Sequence, residues 1–197
     1  MPLRASMPDC LNPVRQILAA ARFAAERHAA HRRKGPTAEP YVNHLLEVAE
    51  LLARTADHLD TNLIVAALLH DTIEDVGVTR EEIAERFGED VASLVAEVTD
   101  DKSLPKEIRK ALQVEHAPAK SPRAQSLGAA DKIANVRSVV TSPPANWSFD
   151  RRVEYVRWAR RVVERYDQID ARLAEEFRQV SADLQEWEKS GGTNDFF

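Results

Sequence analysis

The stretch Leu-Ile-Val-Ala-Ala-Leu-Leu-His-Asp-Thr-Ile-Glu-Asp, residues 63–75, decides the fold and carries the first sign of chemistry. Its first seven residues are apolar on every side of a helix, and such a helix is usually buried at the centre of a helical domain. His70 and Asp71 follow directly. An ionised aspartate beside an apolar core is costly unless it is paired or bound to a metal. The stretch therefore predicts a central helix that ends in a functional site.

Helical patterns continue on both sides of this stretch. Caps, prolines at first helical positions and apolar residues at helical spacing predict the other helices, and no stretch has the alternation of a strand. The result is an all-α fold, a single helical domain over residues 1–197 with about eight to ten helices, a core at 12–189 and a frayed tail at 190–197. The predicted helices cover residues 12–30, 42–54, 60–70, 79–88, 89–99, 105–115, 122–139 and, as one long helix or a pair, 148–189.

Size and charge narrow the class of protein. A chain of 197 residues fits one domain. A net charge of −5 argues against a nucleic-acid binder but is compatible with a small phosphorylated ligand in a local cationic pocket. No apolar run approaches a membrane span, residues 1–11 lack the apolar core of a secretory signal, and Cys10 is the single cysteine. We therefore expect a cytoplasmic protein without a membrane partner.

Four side chains on three predicted helices form a candidate metal site. His44 lies near the start of the second helix, His70 and Asp71 end the central one, and Asp131 lies in a later helix. Two imidazoles and two carboxylates suit a borderline or hard divalent ion such as Mn²⁺, Fe²⁺ or Mg²⁺. An isolated histidine is also common as core or surface filler, and spacing alone leaves that alternative open.

Glu74 and Asp75 add a second kind of group. Glu74 follows His70 by four residues, which places both on one face if the helix continues. A carboxylate there can position or deprotonate an attacking water. The alternative is a polar helix end before the turn at Gly77. Acidic residues at a helix C-terminus oppose the macrodipole, which favours a functional site.

Cationic and aromatic residues supply the means to bind phosphates and a base. Arg33 and Lys34 lie in the loop before His44, Lys106 opens a later helix, and Arg151 and Tyr155 share a face at i and i+4. Together they can clamp phosphates and stack on a base. Each one alone fits equally well as a solvated surface residue or, for the tyrosine, as core.

Three segments resemble the hydrolase domain of the RelA/SpoT alarmone enzymes in order and spacing. They are residues 40–44, 66–75 and 130–137, and the resemblance is closest to the stand-alone small hydrolases first noted in animals. It implies an HD-type domain. The residues that match the family's site are His44, His70, Asp71 and Asp131 as metal ligands, usually of Mn²⁺; Glu74 and Asp75 as the acidic pair; Arg33, Lys34 and Asn135 as nucleotide and phosphate contacts; and Lys106, Arg151 and Tyr155 as further pocket residues.

The resemblance also implies an activity, the metal-dependent hydrolysis of (p)ppGpp to GDP or GTP and pyrophosphate. Two positions depart from the family pattern: Gly128 replaces a common lysine, and Leu45 replaces a common proline. Gly128 keeps one alternative open, a phosphatase of the same fold acting on another phosphorylated nucleotide such as NADPH. A non-catalytic alarmone-binding module is the other alternative, and the acidic pair argues against it.

Overall fold

The computed structural model describes residues 12–189, with side chains described as far as residue 182. Within this range the chain is all-α, as predicted, and its only β-type pairing is an isolated bridge between Arg32 and Pro40. The helices are α1 Pro13–Arg27, α2 Val42–Thr55, α3 Thr61–Leu69, α4 Thr72–Val76, α5 Arg80–Phe87, α6 Glu89–Val98, α7 Lys106–His116, α8 Pro122–Thr141, α9 Phe149–Val163 and α10 Ala171–Lys189. Cys10 and the predicted frayed tail at 190–197 lie outside the described residues.

Side-chain caps begin the helices where the sequence predicted them. Asn12, Asp60, Thr79 and Ser121 each accept a hydrogen bond from a backbone N–H of the first turn. These bonds satisfy donors that the helix itself leaves unpaired. Ser148 caps α9 in the same way, and the final segment is the predicted pair of helices rather than one long helix.

The helix does not continue from His70 to Glu74, so these two residues do not share one helical face. The α3 helix ends at Leu69, Asp71 has φ −96° and ψ 0°, and a separate short helix begins at Thr72. The Thr72 hydroxyl donates to the carbonyl oxygen of Leu69 at 2.6 Å, which satisfies a carbonyl at the end of α3. Glu74 therefore lies in the first turn of α4, where a carboxylate complements the helix dipole instead of opposing it.

The central position predicted for the apolar helix is confirmed. Every side chain of α3 from Ile64 to Leu69 is buried, and the helix packs against α1, α2, α6 and α8. In turn, α8 packs against α2 and α10. This packing brings α2, the C-terminal end of α3 and the middle of α8 together. Over the described range no helix has both the length and the apolar character needed to cross a membrane.

Candidate metal and phosphate site

The four predicted ligand residues lie together where α2, the α3–α4 junction and α8 meet. His44 Nε2 is 3.1 Å from Asp131 Oδ1, and His70 Nε2 is 3.1 Å from Asp71 Oδ2. The crossed distances, His44 to Asp71 and His70 to Asp131, are both 3.7 Å. Both imidazoles are buried, with 2% and 6% of His44 and His70 exposed. Each of the two imidazole nitrogens thus lies within 3.7 Å of both carboxylates.

The donor atoms of this cluster fit a divalent cation. The Nε2 atoms of His44 and His70 are buried and make no hydrogen bond within the described structure. His70 Nδ1 lies 2.7 Å from the carbonyl oxygen of Ala67 and donates to it, so Nε2 is the nitrogen that faces the carboxylates. One ligand atom each from His44, His70 and Asp131 lie within 4.8 Å of one another. Two carboxylates in a buried site are costly unless positive charge, from a proton or a metal ion, lies between them and the imidazoles.

The electrostatics of the cluster favour positive charge. Burial acts to lower the pKa of His70, but the carboxylates of Asp71 and Asp131 outweigh it and raise that pKa well above its ordinary value. In turn, despite burial, His70 and His44 hold the pKa of Asp71 below the usual range. Lys132 and the same two imidazoles likewise hold the pKa of Asp131 well below the usual range, again despite burial. Both carboxylates are therefore ionised at neutral pH.

Three neighbours hold the carboxylates in place. The Tyr41 hydroxyl donates to Asp71 Oδ2 at 2.6 Å. Asn135 Nδ2 donates to Asp131 Oδ1 at 2.6 Å, and Lys132 Nζ donates to Asp131 Oδ2 at 2.9 Å. Partners of this kind orient metal ligands and tune their affinity. Sequence reasoning missed Tyr41 and Lys132, since only their adjacency to ligand residues marks them.

The acidic pair, Glu74 and Asp75, lies beside the cluster and contacts basic side chains. Glu74 Oε1 is 3.4 Å from an Arg109 guanidinium nitrogen, and Lys102 Nζ donates to Asp75 Oδ1 at 2.5 Å. Burial raises the pKa of Glu74, and the carboxylates of Asp71 and Asp100 raise it further. A half-buried glutamate with a raised pKa, close to a candidate metal site, is suited to accept a proton.

The loop before α2 brings a cation to α8. Both terminal nitrogens of Arg33 donate to Asn135 Oδ1 at 3.1 Å. Asn135 therefore bridges Arg33 and Asp131. Gly35 lets the loop approach the end of α8, because a Cβ there would lie 2.5 Å from the Ser142 hydroxyl oxygen. Lys34 is exposed, and its charge contributes, after burial and other cations, to the lowered pKa of Lys106.

The remaining predicted pocket residues line a separate cavity of about 540 Å³ between α7 and α9. Lys106, Arg151 and Tyr155 belong to its wall, together with Trp147. The Arg151 guanidinium lies 4.6 Å from the Trp147 ring centre, and the Trp147 and Tyr155 rings are 5.5 Å apart. Burial raises the pKa of Tyr155, so its hydroxyl keeps its proton at neutral pH.

The structure accounts for both departures from the family pattern. A Cβ at Gly128 would lie 2.3 Å from the Tyr166 hydroxyl oxygen, so Tyr166 takes the space that a side chain at 128 would need. Leu45 is fully buried on α2 and belongs to the core. Neither residue disturbs the four-residue cluster.

Comparison with known proteins gives a consistent result. The sequence profile of the HD domain family matches residues 20–184. The guanosine-3′,5′-bis(diphosphate) 3′-pyrophosphohydrolase MESH1 of Xenopus tropicalis is 51% identical over 148 residues, which cover 75% of this chain and 83% of that protein. The Homo sapiens protein of the same name is 45% identical over 165 residues, 84% of this chain and 92% of that protein. A solved structure titled "A metazoan ortholog of SpoT hydrolyzes ppGpp and plays a role in starvation responses" has 36% identity and a TM-score of 0.82, covering 96% of this chain and all of that chain.

Proposed function

This chain belongs to the HD-domain family, and we infer that within it the chain is a metal-dependent ppGpp 3′-pyrophosphohydrolase related to RelA and SpoT. The observation that carries the inference is the cluster of two buried, unbonded imidazole nitrogens and two ionised carboxylates beside Glu74 and Asp75. Relatives that share this sequence over most of their length are named for that reaction. The reaction converts ppGpp to GDP and pyrophosphate, or pppGpp to GTP and pyrophosphate.

We propose Mn²⁺ as the ion held by His44, His70, Asp71 and Asp131. A mixed nitrogen and oxygen set of this kind also accepts Fe²⁺ or Mg²⁺. Such an ion polarises a phosphoryl oxygen and lowers the pKa of water. The protein's part is to keep the four ligands fixed, and the hydrogen bonds from Tyr41, Asn135 and Lys132 serve that purpose.

Glu74 is the proposed base. Its raised pKa lets it accept a proton from a water that attacks the phosphorus attached to the 3′ oxygen. A bond forms from the water oxygen to that phosphorus, the bond from phosphorus to the 3′ oxygen breaks, and the 3′ oxygen takes up the proton that Glu74 removed from the water. Asp75, which holds Lys102 at 2.5 Å, assists that protonation.

The cations and aromatic rings bind the rest of the nucleotide. Arg33, Lys34 and Asn135 are the proposed contacts next to the metal cluster, where Arg33 already donates two hydrogen bonds into the site. Lys106, Arg151 and Tyr155 offer two cations and a ring in the cavity between α7 and α9, which has room for part of a nucleotide.

We place the enzyme in the cytoplasm from its sequence.

The test is pyrophosphate release from ppGpp by the purified chain, with Mn²⁺ added and with the metal chelated. We expect release of GDP and pyrophosphate only with metal, and loss of release in Asp131→Ala. The matched control is Asp57→Ala, which removes an exposed aspartate paired with Arg172 and should keep full activity.

Two results would overturn the proposal. Faster turnover of NADPH than of ppGpp would assign the site to another phosphorylated nucleotide. Binding of ppGpp without release of pyrophosphate, with Mn²⁺ bound, would indicate a non-catalytic alarmone-binding module.

A further inference from the structure

A small cavity of about 70 Å³ lies against the metal cluster. His70, Asp71, Asp131 and Glu74 form one part of its wall. Since one water occupies about 30 Å³ in the liquid, the cavity holds about two waters or a single phosphoryl group. It is too small for a nucleoside. Its occupant is therefore a small group close to the reacting phosphorus.

Lys120 lines this cavity with a positively charged side chain and is not one of the four ligand residues. It lies between the short 3-10 turn Ala117–Ala119 and the start of α8. Its Nζ donates to the carbonyl oxygen of Glu97 at 2.5 Å, near the end of α6. An ammonium group has three N–H donors, so two remain for another partner. Burial lowers the pKa of Lys120, which reflects a desolvated cation that gains from an anionic partner.

Tyr166 adds a neutral donor to the same wall. Its hydroxyl occupies the space beside Gly128, and the residue lines the cavity. Burial raises the pKa of this tyrosine, so the hydroxyl keeps its proton. The second lysine of the wall, Lys132, already donates to Asp131. Gln113 also lines the wall, and its Nε2 donates to Asp100 at 2.6 Å. Among the described residues of this wall, Lys120 and Tyr166 are therefore the donors that are not committed to a carboxylate.

The charge of the wall decides what the cavity attracts. Two lysines, Lys120 and Lys132, and three carboxylates, Asp71, Asp131 and Glu74, line the wall. A divalent cation on the ligand residues would add two positive charges beside it. A loaded metal site would therefore strengthen the attraction of the cavity for an oxyanion.

We propose that this cavity is a phosphoryl subsite, in which Lys120 and the Tyr166 hydroxyl bind the terminal phosphate of the substrate's 3′-pyrophosphate group. The proposal rests on the proposed hydrolase function, because that function brings a pyrophosphate to the metal cluster. It also gives Gly128 a role. A side chain at 128 would displace the hydroxyl that lines the subsite.

The experiment measures binding of inorganic pyrophosphate to the Mn²⁺-loaded chain by calorimetry. In Lys120→Gln we expect affinity to fall roughly 10- to 100-fold, the loss of a charged hydrogen bond, and in Tyr166→Phe roughly 2- to 10-fold. Lys120→Arg should recover most of the affinity. The matched control is Arg22→Gln, which removes the same charge from an exposed ion pair and should bind as the wild type does.

Further readouts separate a binding role from a structural one. Mn²⁺ affinity and inhibition by GDP, which lacks the 3′-pyrophosphate, should be unchanged in Lys120→Gln, while inhibition by pyrophosphate weakens. If Lys120→Gln fails to fold because the bond to Glu97 is lost, Tyr166→Phe carries the test.

The proposal and the assigned activity fail in different ways. Unchanged pyrophosphate affinity in folded Lys120→Gln, or in Tyr166→Phe where the former does not fold, would overturn the subsite even if the wild type hydrolyses ppGpp. A wild type that binds pyrophosphate through Lys120 but releases none from ppGpp would instead overturn the hydrolase function.

Discussion

Replacing Gly128 by alanine tests the packing beside the metal cluster. Alanine is favoured over glycine within a helix by about 1 kcal/mol. The new Cβ would, however, lie 2.3 Å from the Tyr166 hydroxyl oxygen and 3.1 Å from Cζ of the same ring. Overpacking of this kind costs typically 1–3 kcal/mol. We expect a net loss of up to about 2 kcal/mol, the difference between these opposing effects.

The effect of Gly128→Ala on stability should change from a loss to a gain when the Tyr166 hydroxyl is removed. In Tyr166→Phe the nearest ring atom is Cζ at 3.1 Å, which needs to move only a few tenths of an ångström. Gly128→Ala should then stabilise the chain by up to about 1 kcal/mol. The coupling between the two sites is therefore roughly 1–3 kcal/mol.

Urea and thermal unfolding of the four proteins measure this cycle. For a chain of this length each kcal/mol corresponds to about 2–4 °C in melting temperature. If Gly128→Ala stabilised both backgrounds equally, to within about 0.5 kcal/mol, the proposed contact between Tyr166 and position 128 would be refuted.

Three further predictions concern the site itself. Glu74→Gln should lower kcat by about 10²- to 10⁴-fold with Mn²⁺ still bound, because it removes the proton acceptor; kinetics and metal analysis check this. The acid limb of the kcat profile follows the pKa of Glu74, since the base must be ionised. Asp100→Asn removes a charge that raises this pKa and should shift the limb to lower pH in a pH–rate series. Tyr41→Phe removes the hydrogen bond to Asp71 and should weaken Mn²⁺ binding by about 10- to 100-fold in a metal titration.

Each of these has a matched control. Glu81→Gln changes an exposed glutamate of α5 and should leave kcat unchanged. Asp101→Asn, an exposed neighbour of Asp100, should leave the acid limb in place. Tyr166→Phe should keep the wild-type Mn²⁺ affinity. Near-full activity in Glu74→Gln would contradict the role of Glu74 as the base. An acid limb that does not move in Asp100→Asn would contradict the effect of Asp100 on the pKa of Glu74. Wild-type Mn²⁺ affinity in Tyr41→Phe would contradict the role of Tyr41 in holding Asp71.

Sequence patterns predicted the helices because helix signals are local, and they predicted the cluster residues because each lies in a short segment of distinctive residue types. The N-cap position strongly prefers Asn, Asp, Thr and Ser. The helices that begin after these caps start where predicted: Asn12, Asp60, Thr79 and Ser121. The short helix α4 was not among the predicted helices, because its start follows from backbone angles at Asp71 that no proline or glycine announces.

The supporting residues were less predictable because they act across the fold. Lys120 and Tyr166 are far apart in sequence and share a cavity only after α8 and the segment following α9 pack together. Neither has a residue type or spacing that indicates a ligand. The same holds for Asp100, whose effect on Glu74 comes through space from the end of α6.

The distribution of the ligand residues along the chain bears on how long the folded enzyme survives. They run from position 44 to position 131 and meet only when α2, the α3–α4 junction and α8 have packed. Closing such long loops is costly, so the ion has no complete site to bind early in folding. Interactions completed after the folding transition state slow unfolding and leave the folding rate nearly unchanged. The lifetime of this chain against proteases should therefore depend on metal supply, through the rate at which it opens.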